Sequence, residues 1–154
     1  MPVDLKPAVL TLFKECFQGV EPGMDYTWFV QGKEGIFDAL DSVTAERASH
    51  RPSSNCATIA AHAFHMRYAL HGANAQLGGP PQVGDWESSW DKQTVTAPEW
   101  DALRQDIRRE YQFFFDAVES AEIPSAEAGI GFVAQLPHMA FHLGAIRQIM
   151  KIVP

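Results

Sequence analysis

Pro137-His138-Met139-Ala140-Phe141-His142-Leu143-Gly144-Ala145-Ile146-Arg147 is the stretch from which this chain is read. Four residues of helix turn through about 400°, which leaves His138 and His142 about 40° apart and about 6 Å along the axis. Both imidazoles then share one face, close enough to hold a single ion. A second pair, His62 and His65, lies three residues apart in the apolar segment 57–70, again on one helical face. Four of the six histidines therefore belong to helix-face pairs on two separate segments. A metal held between two helices accounts for both pairs. Packed core imidazoles are the competing explanation, but burying four of them is costly unless each finds a partner.

Working outward, the hydrophobic periodicity predicts an all-α protein. Asp4 is placed to cap a helix from Leu5 to about Gln18, with Leu5, Val9, Leu12, Phe13 and Phe17 as its apolar stripe. Ile36, Phe37, Leu40 and Val43 predict a shorter helix running towards Ala48. Ser53 or Ser54 is the expected cap of a third helix from about Asn55 to Leu77, ended by Gly78-Gly-Pro-Pro. Thr96-Ala-Pro-Glu99 has capping-box spacing and opens a helix with Trp100, Leu103, Ile107, Tyr111, Phe114 and Val118 on its inner face. The last helix is expected from Phe132 to Ile152, with Pro137 either kinking it or marking its true start. No strand alternation and no internal repeat compete with this pattern. Such helices, joined by loops, predict one antiparallel bundle over residues 1–154, a fold that builds metal sites from facing helices.

Composition narrows the partners. Hydrophobic residues make up 46% and charged residues 20%, the balance of a globular domain with a full core. A net charge of −7 argues against nucleic acid or an anionic membrane surface as the main partner, since both need a basic patch. Of the two cysteines, Cys16 falls in the first apolar pattern as a packed thiol. Cys56 falls at the start of the third predicted helix, where the dipole could lower its pKa; a structural role is the preferred reading. The N-terminus lacks a basic region followed by an apolar run, and no apolar stretch reaches membrane length. A cytoplasmic location is the expectation. Phe113, Phe114 and Phe115 cannot all point inward from one helix. With Trp28 and Phe29 they predict an exposed aromatic patch and a homodimer.

The element order and the motifs Ala57-Thr-Ile-Ala-Ala-His-Ala-Phe-His-Met and His-Met-Ala-Phe-His-Leu-Gly-Ala-Ile resemble those of the DinB-like superfamily of metal-dependent hydrolases and thiol transferases. The most specific part is the closing His-x-x-x-His-x-Gly-x-Ile, His138 to Ile146. The resemblance implies an antiparallel four-helix bundle with an extra short helix. It also implies one divalent metal, zinc or nickel, on three histidines: His138, His142 and one from the earlier helix. Thr58 and Ile59 stand before His65 as the family's Ser/Thr and Val/Ile stand before its ligand, so His65 is preferred to His62. Ala145 departs from the family, where a polar residue such as Gln is common.

Three neutral imidazoles leave an ion its full charge and one open position, the arrangement of catalytic rather than structural sites. Such a centre can lower the pKa of water or hold a thiol as thiolate. The expected function is a transferase activating a low-molecular-weight thiol towards a small electrophile. A hydrolase of the same architecture and a non-catalytic ligand-binding bundle are the alternatives. No Gly-x-Ser-x-Gly or His-Glu-x-x-His is present, so the standard nucleophile-elbow and zincin mechanisms lack support. Asp85, Glu87 and Asp91 are candidate general bases, although solvated loop charges are the simpler reading. Trp86 and Trp90 are candidate pocket walls, with bundle-end packing an equal reading. Arg67 is a candidate partner for a cofactor carboxylate, although a surface or ion-pairing arginine is the simpler reading.

Overall fold

The capping box at Thr96 is formed as its spacing requires. In the computed structural model, which describes residues 4–154, Thr96 Oγ1 accepts from the Glu99 amide and the Glu99 carboxylate accepts from the Thr96 amide. The helix it opens is the fifth of six among the described residues: α1 (Lys6–Gln18), α2 (Ile36–Asp41), α3 (Ala45–Ala48), α4 (Ile59–Gln76), α5 (Ala97–Ser120) and α6 (Ala126–Ile152). A 3-10 turn, Ser88–Trp90, interrupts the loop between α4 and α5, and the described residues contain no strand. Among the described residues no helix is long and apolar enough to cross a membrane.

All six residues assigned to the inner face of α5 are buried. Trp100 is anchored by its indole N–H, which donates to the Val43 carbonyl at 2.8 Å. Helix α4 packs against both α5 and α6, while α1 crosses α6 and α2. Phe13, Phe17, Phe37 and Tyr111 form an aromatic cluster where α1, α2 and α5 meet, with ring centroids 4.7–5.6 Å apart.

The buried stripe of α1 is rotated from the sequence reading. Leu10, Phe13, Cys16 and Phe17 are buried, Val9 and Leu12 are half-buried, and Leu5 is exposed. Asp4 still accepts from the Lys6 amide at 2.9 Å, but the helix begins one residue after Leu5. Glu15 is buried with this stripe. Its buried carboxylate accepts from the amides of Trp28, Phe29 and Val30 at 2.7, 2.8 and 2.9 Å and ties the aromatic loop to the helix. Gly19 lets that loop close: at φ +76° it lies so near Lys33 that a Cβ would meet the carbonyl oxygen at 2.2 Å.

The other departures are also matters of capping. The helix expected to run from Ile36 to Ala48 is two helices, because Thr44 accepts from the Arg47 amide and starts a new one. Helix α4 starts at Ile59, not Asn55, since Thr58 and neither Ser53 nor Ser54 is its cap. Cys56 therefore lies outside the helix, exposed, with its sulfur accepting from Ser53 Oγ, and the dipole argument for it falls away. Cys16 is buried, and that burial, with Glu15 next to it, pushes its thiol pKa up to about 12. Helix α6 begins six residues before Phe132, capped by Ser125, and runs on through Pro137, whose ring faces solvent. Phe114 points inward, Phe115 is half-buried against Tyr111, and Phe113, Trp28 and Phe29 are exposed.

Candidate metal centre

Helix α4 contributes His62 and His65, α6 contributes His138 and His142, and the 3-10 turn lies over them. Ala61, Met66 and Ala69, near the two rings on α4, are buried. One potential ligand atom from each of His65, His138 and His142 lies within 4.8 Å of the other two. His138 Nε2 and His142 Nε2 are 3.0 Å apart. A tetrahedral zinc with bonds of 2.0–2.1 Å sets nitrogens about 3.3 Å apart, so small ring rotations would convert this contact into shared coordination. His65 and His142 are buried and His138 is half-buried.

The fit to an ion is best seen at His65. Its Nδ1 is 2.6 Å from Ser89 Oγ, whereas its Nε2 is buried with no hydrogen-bond partner. A buried acceptor left in this state costs about 1–3 kcal/mol, which coordination of an ion would remove. The other two nitrogens are close, neutral and soft enough for a first-row divalent ion.

His62 takes a different part. Its Nδ1 is 2.9 Å from His142 Nδ1, so one of these atoms carries the hydrogen and the other accepts it. With His142 Nε2 turned to His138, a metal-binding His142 is protonated on Nδ1 and donates to His62. His62 would then orient a ligand instead of being one.

Burial sets the charge of the cluster. It pushes the pKa of both His62 and His65 down to about 4, with the neighbouring histidines adding to the effect at His65. His138 is shifted in the same direction by burial. His142, enclosed by the other three, is held far below the ordinary imidazole range, first by burial and then by their proximity. The rings are therefore neutral at pH 7, as ligands must be.

Two tryptophans roof the cluster. Trp90 stacks on His65 at 4.1 Å and 20°, and Trp86 meets the same ring edge-on at 4.4 Å. Trp86 also lies over His138 at 5.7 Å and 26°. Trp86 is exposed, so solvent reaches the cluster along Trp86 and His138.

The remaining candidates sit elsewhere. Asp85 accepts from the Ser88 amide at 2.8 Å and, like Glu87 and Asp91, is exposed; the hydrogen-bond partners of the four histidines are each other and Ser89. Arg67 lies on the α5 side of α4, in a cleft with Lys92, Glu99 and Asp106. Sequence reasoning passed over Ser89, since a serine in a polar loop carries no periodic signal. Comparison with protein-family models, curated proteins and solved structures finds no match to this chain.

Proposed function

We propose that this protein is a DinB-like, metal-dependent enzyme. In this reading α1, α4, α5 and α6 are the four principal helices of an antiparallel bundle, and one divalent ion, zinc or nickel, is held by His65, His138 and His142. The favoured activity is a transferase that activates a low-molecular-weight thiol towards a small electrophile. The observation that carries the reading is the buried, unpaired Nε2 of His65 beside two neutral imidazoles whose Nε2 atoms already face each other.

When bound, an ion with only neutral ligands supplies a Lewis acid strong enough to lower the pKa of a water or thiol entering its open position. His62 keeps the hydrogen of His142 on Nδ1. Trp90 covers the face of His65 and excludes water from it, while Trp86 borders the way in. A cleft of about 590 Å³, lined by Gly72, Ala73, Leu77, Phe114, Phe132 and Gln135, lies further along α4 and α6, with none of the four histidines in its wall.

A hydrolase of the same fold is the second reading, and the position of Arg67 favours it. An anionic thiol cofactor calls for a cation near the ion, and Arg67, the one candidate for that part, lines a separate cleft with Lys92, Glu99 and Asp106. Cobalt substitution separates the alternatives. A thiol that binds the ion produces a sulfur-to-metal charge-transfer band; a hydrolase gives no such band but cleaves esters or amides in a metal-dependent way. Absence of both leaves the non-catalytic binding bundle. The expected assembly is a homodimer joined through exposed aromatics such as Trp28, Phe29 and Phe113, working in the cytoplasm on a small molecule.

A further inference from the structure

The structure assigns Ser89 as a positioning residue that fixes His65 in the Nδ1–H tautomer, so that its Nε2 lone pair is held ready for an ion. The inference rests on the metal reading above, and its first test does not need the metal.

The argument is one of counting hydrogens. Ser89 is buried, and its hydroxyl has two partners, the Trp86 carbonyl oxygen at 2.6 Å and His65 Nδ1 at 2.6 Å. A carbonyl can only accept, so the single hydroxyl hydrogen goes to Trp86. The oxygen must then accept from His65, and the hydrogen of the neutral ring lies on Nδ1. Nε2 is left as a bare lone pair, which is the buried nitrogen without a protein partner. The backbone of the 3-10 turn makes the arrangement rigid: the Trp90 amide bonds to the Glu87 carbonyl at 3.2 Å and the Asp91 amide to the Ser88 carbonyl at 3.1 Å. The turn that seats Trp90 on His65 thus also dictates which nitrogen of His65 is free. His138 and His142 have no such fixed hydroxyl, and their facing Nε2 atoms share a hydrogen that has to leave or move before both can bind an ion.

Ser89→Ala removes the acceptor from Nδ1, and Ser89→Thr retains a hydroxyl. Nitrogen-15 imidazole shifts of the metal-free, full-length protein report the tautomer directly. His65 is expected in the Nδ1–H form in wild type and Ser89→Thr, and mixed or Nε2–H in Ser89→Ala. Zinc affinity is expected to fall about 10–100-fold in Ser89→Ala and to recover in Ser89→Thr. An Nε2–H form in wild type, or an unchanged Nδ1–H form in a folded Ser89→Ala, overturns the assignment to Ser89. Failure of wild type to bind zinc while the tautomers follow the expected pattern overturns the metal reading and leaves the positioning role of Ser89 standing.

Discussion

His62 and His142 face each other through like atoms, Nδ1 to Nδ1 at 2.9 Å, across the interface of α4 and α6. In the proposed centre that contact makes His62 a support for a ligand. His62→Ala should therefore keep one ion per chain but bind it about 10–100-fold more weakly, the usual effect of losing the partner that orients a metal-binding imidazole. Calorimetric titration of zinc into the variant tests this. Complete loss of binding would make His62 a ligand and close the site.

The buried imidazoles also set an acid limit on the metal-free fold. His62 and His65 take up protons near pH 4 when folded but near pH 6.5 when unfolded. Between those values the unfolded chain binds more protons, so stability is full above about pH 7 and is lost as the pH falls. Urea midpoints of the metal-free protein should be level from pH 8 to 7 and drop steadily from 6.5 to 5. A midpoint that rises on acidification over that range contradicts the buried neutral cluster.

Helix α5 was legible in full, because a capping box, a proline in the first turn and six residues at helical spacing all gave one answer. The start of α6 was not. Ala126-Glu-Ala-Gly-Ile-Gly carries two glycines and one bulky apolar side chain, so the helix there rests on the Ser125 cap and gives no strong periodic signal. Spacing put His62 and His65 on one face but held no information about hydrogen-bond direction, which is what separates their roles. Ser89 and Glu15 were invisible for a related reason: each acts through backbone groups or rings far off in sequence.

Glu15 gives a stability prediction independent of the centre. Replacing it with alanine strands three amide donors, and Glu15→Ala should cost about 2–4 kcal/mol, less than three full penalties because water can reach part of the exposed loop. Chemical denaturation measures the loss. A change below about 0.5 kcal/mol, the range of ordinary surface substitutions, would show that the loop does not depend on the carboxylate.

The tryptophan roof offers an optical signal. Of the four tryptophans, Trp86 and Trp90 lie against His65, and Trp86 also covers His138. Cobalt or nickel binding should quench fluorescence, and most of the quench should vanish in the double variant Trp86→Phe/Trp90→Phe. A quench of undiminished size there would place the ion near Trp28 or Trp100 instead.

Elemental analysis of purified wild type beside the His65→Ala, His138→Ala and His142→Ala variants tests the three-histidine centre most directly. About one divalent ion per chain is expected in wild type, with near-complete loss in each variant while helical content is kept. Folded His138→Ala and His142→Ala proteins that still hold one ion per chain would contradict it.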